Sequence, residues 1–154
     1  MGNVASNLTI HSRRRRIGAS LLISAALVAA APRPAEAATR PAERRFARMV
    51  NETRGTATLS PLRLNNRLSH VARRHSKRMA ARGELYHSDL NRLLGHGISS
   101  VGENVAMGGS LQEMLVAFMA SPPHAQNILG NYSRTGVGVY RGAGRLWITQ
   151  IFAS

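Results

Sequence analysis

The chain has 154 residues, 44% of them hydrophobic, which suffices for one domain with a buried core and is too short for two. It contains no cysteine, so a disulfide framework, a thiolate metal site and a cysteine nucleophile are excluded, and stability must come from packing. Twenty-one Lys and Arg against seven Asp and Glu give a formal net charge of +14, which favours anionic neighbours and identifies no partner.

Residues 1–37 have the pattern of a signal peptide. Four arginines at 13–16 form a basic n-region, an apolar h-region follows at 17–31, and Ala-Glu-Ala at 35–37 fits a cleavage site. This apolar run is shorter than the ~20 residues that span a bilayer, so we expect no retained transmembrane anchor. The sequence predicts a secreted protein, extracellular or in the cell envelope, and leaves general and twin-arginine export open.

Two helices are predicted in the first half of the mature chain. Residues 38–42 are predicted as a short tether, residues 43–54 as an amphipathic helix, and residues 65–82 as a longer helix that ends at Gly83. Because His75 lies on the apolar stripe of the longer helix, we expect a hydrogen-bonded core histidine rather than a ligand. The stripe comprises Leu64, Leu68, Val71, Ala72, His75 and Met79.

Basic side chains cluster on another face of the longer helix. Without the leader, 16 basic residues face 6 acidic ones, a net charge of +10, and the resulting field is screened and non-specific. Since no aromatic residue lies between the helical cations to stack bases, we expect a solvated face and no specific nucleic-acid partner. The cluster comprises Arg67, Arg73, Arg74, Lys77 and Arg78.

The stretch 101–129 contains most of the local signals. Gly102 precedes Glu103, and Gly108 and Gly109 follow it, so the sequence predicts a short segment between flexible points. Such a segment can direct one carboxylate inward. Glu103 is therefore a candidate site residue.

A helix is predicted to begin directly after this segment. Ser110 and Glu113 have the spacing of a capping box, and the apolar residues that follow recur at helical spacing. Pro122 ends this helix, because the residue before proline is disfavoured in the α conformation. His124 then lies in the first turn of a second short helix, which Gly130 ends.

Two strands are predicted near the C-terminus, at 136–140 and 145–152, joined by a hairpin loop. Apolar residues occur on both faces of the second strand, so helices should cover both sides of the sheet. We predict an α+β fold, a three-layer α-β-α sandwich with a small central antiparallel sheet. Residues 89–94 are predicted as one helical turn, and His96 as a surface loop residue.

Three residues at element boundaries, His87, Glu103 and His124, form a candidate constellation. Two imidazoles and a carboxylate can bind Zn²⁺ with an open fourth position, or the carboxylate can orient one histidine as a base. The three side chains can also simply satisfy one another in a polar cluster. The separations of 16 and 21 residues decide nothing by themselves. On the residues alone, the polar cluster is favoured, and the other two alternatives stay open.

The ordered motifs LSHVARRHSKRMA, LYHS, GENVA, ASPPHAQNIL, TGVGVY and LWITQIF resemble those of the CAP superfamily: cysteine-rich secretory proteins, antigen 5 and pathogenesis-related proteins. They are more similar to the short, cysteine-free bacterial SCP-like secreted branch. The resemblance covers residues 43–152 and implies a CAP domain over residues 43–154, with a central cleft lined by two histidines and two acids. By motif, His87, Glu103 and His124 match three of these positions.

Ser121 stands where the resemblance implies the second acid. A serine hydroxyl at neutral pH neither supplies negative charge nor takes a proton as a carboxylate does, so mechanisms that need paired acids are disfavoured. Because Ser121 precedes proline at a helix start, we expect a helix N-cap rather than a nucleophile.

The resemblance thus implies a secreted, non-enzymatic protein that binds a ligand in or near a cleft of His87, Glu103, Ser121 and His124. The ligand is expected to be a metal ion, with Zn²⁺ at His87 and His124, or a lipid or an anionic cell-envelope component. The alternative is a metal-dependent hydrolase of peptides or cell-wall material, with His87 and His124 on the metal and Glu103 as base. A third hypothesis is electrostatic binding of an anionic polymer by the helical cluster. The oligomeric state stays open.

Overall fold

The computed structural model describes the backbone of residues 34–95 and 97–154 and the side chains from residue 41 onward, His96 apart. The predicted signal peptide up to residue 33 and the predicted loop residue His96 lie outside the described residues. The helices are α1 (Pro34–Thr56), α2 (Asn66–Arg82), α3 (Leu111–Ala120) and α4 (Pro122–Leu129). The strands are β1 (Arg63–Leu64), β2 (Val101–Gly108), β3 (Arg134–Gly142) and β4 (Arg145–Ala153).

One four-stranded sheet, in the order β1-β3-β4-β2, forms the centre of the fold. The three long strands are antiparallel, and Ile151 of β4 is opposite Gly136 of β3 on one side and Glu103 of β2 on the other. Two-residue β1 adds a short parallel pair to β3. The structure thus confirms the two predicted C-terminal strands and adds two that the sequence analysis missed.

Helix α2 lies directly against one face of the sheet because β3 carries glycines there. A Cβ atom on Gly136 would lie 2.3 Å from the backbone carbon of Leu68, and one on Gly138 would lie 2.1 Å from the amide nitrogen of Arg73. Only glycine permits so close an approach of helix and strand backbones. The position of α2, and of the segment that follows it, is therefore set by backbone contact.

The opposite face is covered by α1, α3 and α4 through a large apolar cluster. Rings of Phe46 and Phe118 meet edge to face with centroids 6.2 Å apart. Helices on both faces give three layers, which confirms the predicted α+β sandwich. The buried members of the cluster are Phe46, Ala47, Val50, Leu62, Leu111, Met114, Leu115, Phe118, Ile128, Val137, Val139, Leu146, Ile148 and Phe152.

The prediction of a flexible segment around Glu103 is wrong, because residues 101–108 form strand β2. Gly102 and Gly108 lie within β2, and neither has a positive φ. At Gly102 the missing Cβ makes room for a neighbour, since a Cβ there would lie 2.6 Å from Asn127 Oδ1. Glycine, asparagine and glutamate are poor strand formers, so the composition concealed a strand that pairing with β4 stabilises.

Several helix boundaries differ from the predictions. Helix α1 is described from Pro34, so residues 38–42, predicted as a tether, are helical although Pro41 lies inside the helix. Asn65 caps α2 by accepting a bond from the Leu68 amide, and Leu64 lies in β1 with 38% exposure instead of on the buried stripe. The turn predicted at 89–94 is a 3₁₀ turn at Asn91–Leu93. No helix within the described ranges is long and apolar enough to cross a membrane.

Candidate ligand-binding site

The end of α2 places the first site residue. Gly83 ends the helix in the left-handed conformation, with φ of 69° and its amide bonded to Met79 O. The chain then runs back along α2, where the buried ring of His75 bonds to Tyr86 O at 2.7 Å. This contact confirms His75 as a hydrogen-bonded core histidine and holds the following residue, His87, near the sheet.

His87 is oriented by the buried carboxylate of Glu103. Oε1 of Glu103 lies 2.9 Å from His87 Nδ1 and accepts a bond of 2.8 Å from the amide of Ser88. Oε2 accepts a bond of 2.5 Å from Ser88 Oγ. The Glu103 side chain is 3% exposed and that of His87 is 63% exposed, so a fixed carboxylate holds an accessible imidazole whose Nε2 is left for a ligand.

His124 and Ser121 form a second pair at the start of α4. Ser121 stands at the N-cap position as predicted, but its hydroxyl caps no backbone amide and lies 2.8 Å from His124 Nδ1. The His124 ring stacks on Phe118 with centroids 5.0 Å apart. Burial lowers the pKa of His124 below its ordinary value, and the charge of His87 lowers this pKa further. At neutral pH, His124 is therefore uncharged.

The two pairs lie on different sides of β2. Glu103 contacts the segment after α2, whereas the next residue, Asn104, donates to His124 O at 3.0 Å, because successive strand side chains point to opposite faces. Asn127 Nδ2 donates to Asn104 Oδ1 at 2.9 Å and lies 3.2 Å from Glu103 O. In the part of the chain that the structure describes, no hydrogen bond joins the His87 pair to the His124 pair; the effect of His87 on the His124 pKa connects them.

Three residues of this site were missed by the sequence analysis: Ser88, Asn104 and Asn127. Each lies in a motif that had been singled out, directly after His87, directly after Glu103, and three residues after His124. The available signal was polarity at these positions. Their partners could not be predicted, because the pairings depend on which face of β2 each residue occupies.

A groove of about 750 Å³ adjoins the site on the α2 side. His87 and Ser88 line it, whereas Glu103, Ser121 and His124 do not. Its volume falls within the ~300–1,000 Å³ range of small-molecule pockets. The accessible imidazole therefore stands at the border of a concave surface.

Comparison with known proteins decides the family. The model of the cysteine-rich secretory protein family, CAP, matches residues 47–152, more than half of the chain. This chain belongs to the CAP family. A curated relative, the uncharacterized protein YkwD of Bacillus subtilis (strain 168), is 31% identical over 118 residues, which are 70% of this chain and 46% of that protein. The chain thus spans less than half the length of the curated relative.

Solved structures share the CAP fold. An extracellular protein containing an SCP domain from Bacillus anthracis str. Ames is similar over 80% of this chain and 43% of its own, with 24% identity and a TM-score of 0.69. An outer surface protein from Borrelia burgdorferi is similar over 72% of this chain and 90% of its own, with 15% identity and a TM-score of 0.65. At these identities the likeness shows the fold, and it agrees with the predicted sandwich.

The donor set fits zinc poorly. The described residues contain no group of three or more His, Cys, Asp and Glu side chains that could hold a metal ion. Catalytic zinc sites keep three protein ligands, whereas His87 and His124 supply two, and both oxygens of Glu103 are already bonded. Zinc at these histidines stays a prediction, which titration can test.

Proposed function

We propose that this CAP protein is exported and binds a component of the cell envelope at His87 without hydrolysing it. The supporting observation is the bonding of Glu103. Hydrogen bonds from Ser88 and His87 occupy both carboxylate oxygens, so this acid orients the imidazole and is poorly placed to act as a base itself. His124 lies on the other side of β2 and is connected to this site by its electrostatic coupling to His87.

Export is supported by two observations. The N-terminal pattern of basic, apolar and small residues is that of a signal peptide. Among structural neighbours of this CAP domain, one is described as extracellular and another as an outer surface protein. An exported protein is in contact with the cell envelope, and its strongly basic surface favours binding to anionic envelope components.

Co-sedimentation with purified cell-wall sacculi tests the proposal. We expect the wild-type protein to pellet with the sacculi and His87→Ala to remain mostly in the supernatant. Gln112→Ala, an exposed change on α3, serves as the matched control and should pellet like wild type. Equal pelleting of His87→Ala and Gln112→Ala would refute binding at His87.

A hydrolase is the second candidate, and one observation favours it: an imidazole held by a buried carboxylate is the arrangement of an oriented general base. The same sacculi report on this alternative. Release of soluble peptides or sugars by the wild type, abolished in His87→Ala, would replace the binding proposal with a catalytic one. We expect no release above the level of the variant.

Zinc dependence is tested separately by calorimetry. With two imidazole donors, we expect Zn²⁺ to bind the wild type no better than the His87→Ala/His124→Ala double variant. One-to-one binding that the double variant loses would restore the metal-dependent alternative.

A further inference from the structure

The groove beside His87 has an unusual distribution of charge. Four arginines, Arg67, Arg74, Arg78 and Arg92, line it together with His70, and Asp89 is the one acidic residue among its lining side chains in the described structure. Three of the arginines lie along α2, and the fourth faces them from the 3₁₀ turn. A concave surface with cations on both walls concentrates positive potential within it.

Two of these cations have no hydrogen-bond or ion-pair partner among the residues that the structure describes. Arg67 and Arg74 form neither a hydrogen bond nor an ion pair with any described residue. In contrast, Arg73 on the other side of α2 forms two bonds, of 2.7 and 2.6 Å, with the buried carboxylate of Glu43. The chain therefore neutralises the arginine outside the groove and leaves cations inside it free for a ligand.

The other two groove arginines differ in how firmly they are held. Arg78 Nη2 donates to His75 Nδ1 at 3.3 Å, and the opposite ring nitrogen of His75 donates to Tyr86 O. Arg92 lies 3.5 Å from Asp89 in an exposed pair, which contributes little to stability and exchanges readily with a stronger anion. One wall of the groove is thus anchored to the core through a fully buried histidine.

The spacing of the arginines indicates an extended ligand. Arg67 and Arg78 are eleven residues apart on α2, about 16 Å along the helix axis at 1.5 Å per residue. This is longer than one phosphate group and suits several anions in a row. Guanidinium groups match phosphate oxygens with paired hydrogen bonds, which favours phosphate over isolated carboxylates.

We propose that this groove binds a linear polymer with repeated phosphate-type charges. This inference deepens the proposed function by naming the chemistry of the envelope partner. A nucleic acid is disfavoured because the aromatic residue of the groove, Tyr86, is already engaged by the Arg82 guanidinium at 4.8 Å and by the His75 ring. A bilayer is disfavoured because a flat surface reaches the rim of a concave groove and misses its walls.

Fluorescence anisotropy with labelled inorganic polyphosphate at 0.15 M salt tests the proposal. We expect Arg67→Gln/Arg74→Gln to weaken binding at least about tenfold, since each lost guanidinium removes charge-assisted bonds. Both residues are exposed and form no hydrogen bond or ion pair with a described residue, so the variant should fold normally. Arg48→Gln/Arg141→Gln removes the same charge from exposed positions outside the groove and should change binding less than about twofold.

Three results would overturn the inference: no polyphosphate binding at this salt concentration, equal weakening by both double variants, or tighter binding of single-stranded DNA or anionic vesicles than of polyphosphate. Inorganic monophosphate should compete far more weakly than the polymer, and equal competition would contradict an extended site. If the protein pellets with sacculi in a His87-dependent way but does not bind polyphosphate, the groove inference is refuted and the proposed function stays intact. Polyphosphate binding without sacculus binding would refute the proposed function alone.

Discussion

The two faces of the sheet are packed in different ways. On the face covered by α1, α3 and α4, large apolar side chains fill the space between helix and strand, with Phe118 and Phe152 fully or almost fully buried. On the face covered by α2, the buried apolar cluster is smaller, and glycines bring the backbones together. Its buried members are Leu68, Ala72, Ile151 and Ala153. One layer is held by side-chain volume and the other by close approach.

Polar contacts replace the missing apolar volume beneath α2. Ser76 Oγ lies 2.9 Å from both Gly138 O and Thr149 Oγ1, and Ser69 Oγ accepts from the Val137 amide at 3.2 Å. Short, directional bonds fix a helix more narrowly than apolar contact does. Helix α2 therefore has little freedom to shift on the sheet, although few apolar residues lie beneath it. As a result, the arginines on its outer surface keep their spacing.

Truncation on the apolar face should have the largest effect. We expect Phe118→Ala to lower the free energy of unfolding by about 3–5 kcal/mol, because it removes a buried ring that contacts Phe46 and leaves a cavity. Urea unfolding followed by tryptophan fluorescence measures this loss. Val116→Ala, at an exposed position on the same helix, should change stability by less than about 0.5 kcal/mol. Similar losses for both variants would mean that α3 contributes little through packing.

Adding a side-chain atom between α2 and β3 should destabilise the protein somewhat less. Here the cause is steric overlap instead of a cavity. We expect Gly138→Ala to cost about 3 kcal/mol, because a Cβ 2.1 Å from the Arg73 amide nitrogen must push α2 away from β3. Gly55→Ala, where a Cβ meets nothing within 4 Å and φ is not positive, should instead stabilise α1 by about 0.5–1 kcal/mol. Stabilisation by both changes would show that the entropy of the unfolded chain, and not the space around the Cβ atom, governs these positions.

Most elements of the fold could be predicted from the sequence, whereas the different packing of the two faces could not. Helical periodicity identified α2 and α3, and the capping box placed the start of α3, where Ser110 Oγ accepts from the Glu113 amide at 3.1 Å. Strand β2 was missed because Gly102, Asn104 and Gly108 lack the composition of a strand, and pairing with β4 supplied what local propensity did not. The family motifs indicated the fold where local signals were insufficient.

The candidate site residues were named from the sequence, but their arrangement was not. His87 and Glu103 do meet, and His124 does lie in the first turn of a helix. The site divides into two pairs because Glu103 and Asn104 are successive residues of an edge strand and point to opposite faces. The sequence analysis predicted a flexible segment here, so it could not predict this alternation. Ser121 was expected to cap a helix, and its hydroxyl contacts His124 because that ring lies one turn further along.

Loss of the amide pair that joins α4 to β2 should have an intermediate effect. We expect Asn127→Ala to cost about 1–2 kcal/mol, because it leaves Asn104 Oδ1, within a fully buried residue, without its donor. Asn131→Ala, an exposed change in the turn after α4, should be nearly neutral by the same urea measurement. If the two variants are equally stable, the hydrogen bonds from Asn127 to β2 contribute nothing to the packing of α4 on the sheet.

The smallest effect should appear in the pH dependence of stability. Burial lowers the pKa of His124 in the folded protein below the unfolded value of about 6.5, so the unfolded state takes up the proton first as the pH falls. The contribution of neutral His124 is therefore complete above about pH 6.5 and is lost as the pH falls through the folded pKa. We expect the difference in melting temperature between His124→Gln and wild type to shift in favour of the variant between about pH 7.5 and pH 5.

The pKa of His124 also reports on the electrostatic coupling between the two histidines on either side of β2. Because the charge of His87 adds to the lowering, we expect His87→Gln to raise the pKa of His124 in an NMR titration of the ring protons. Burial is the larger cause, so the pKa of His124 should stay below its ordinary value in this variant. An unchanged His124 pKa in His87→Gln would mean that the two sides of β2 hold independent halves of the site, with burial beside Phe118 alone keeping His124 neutral.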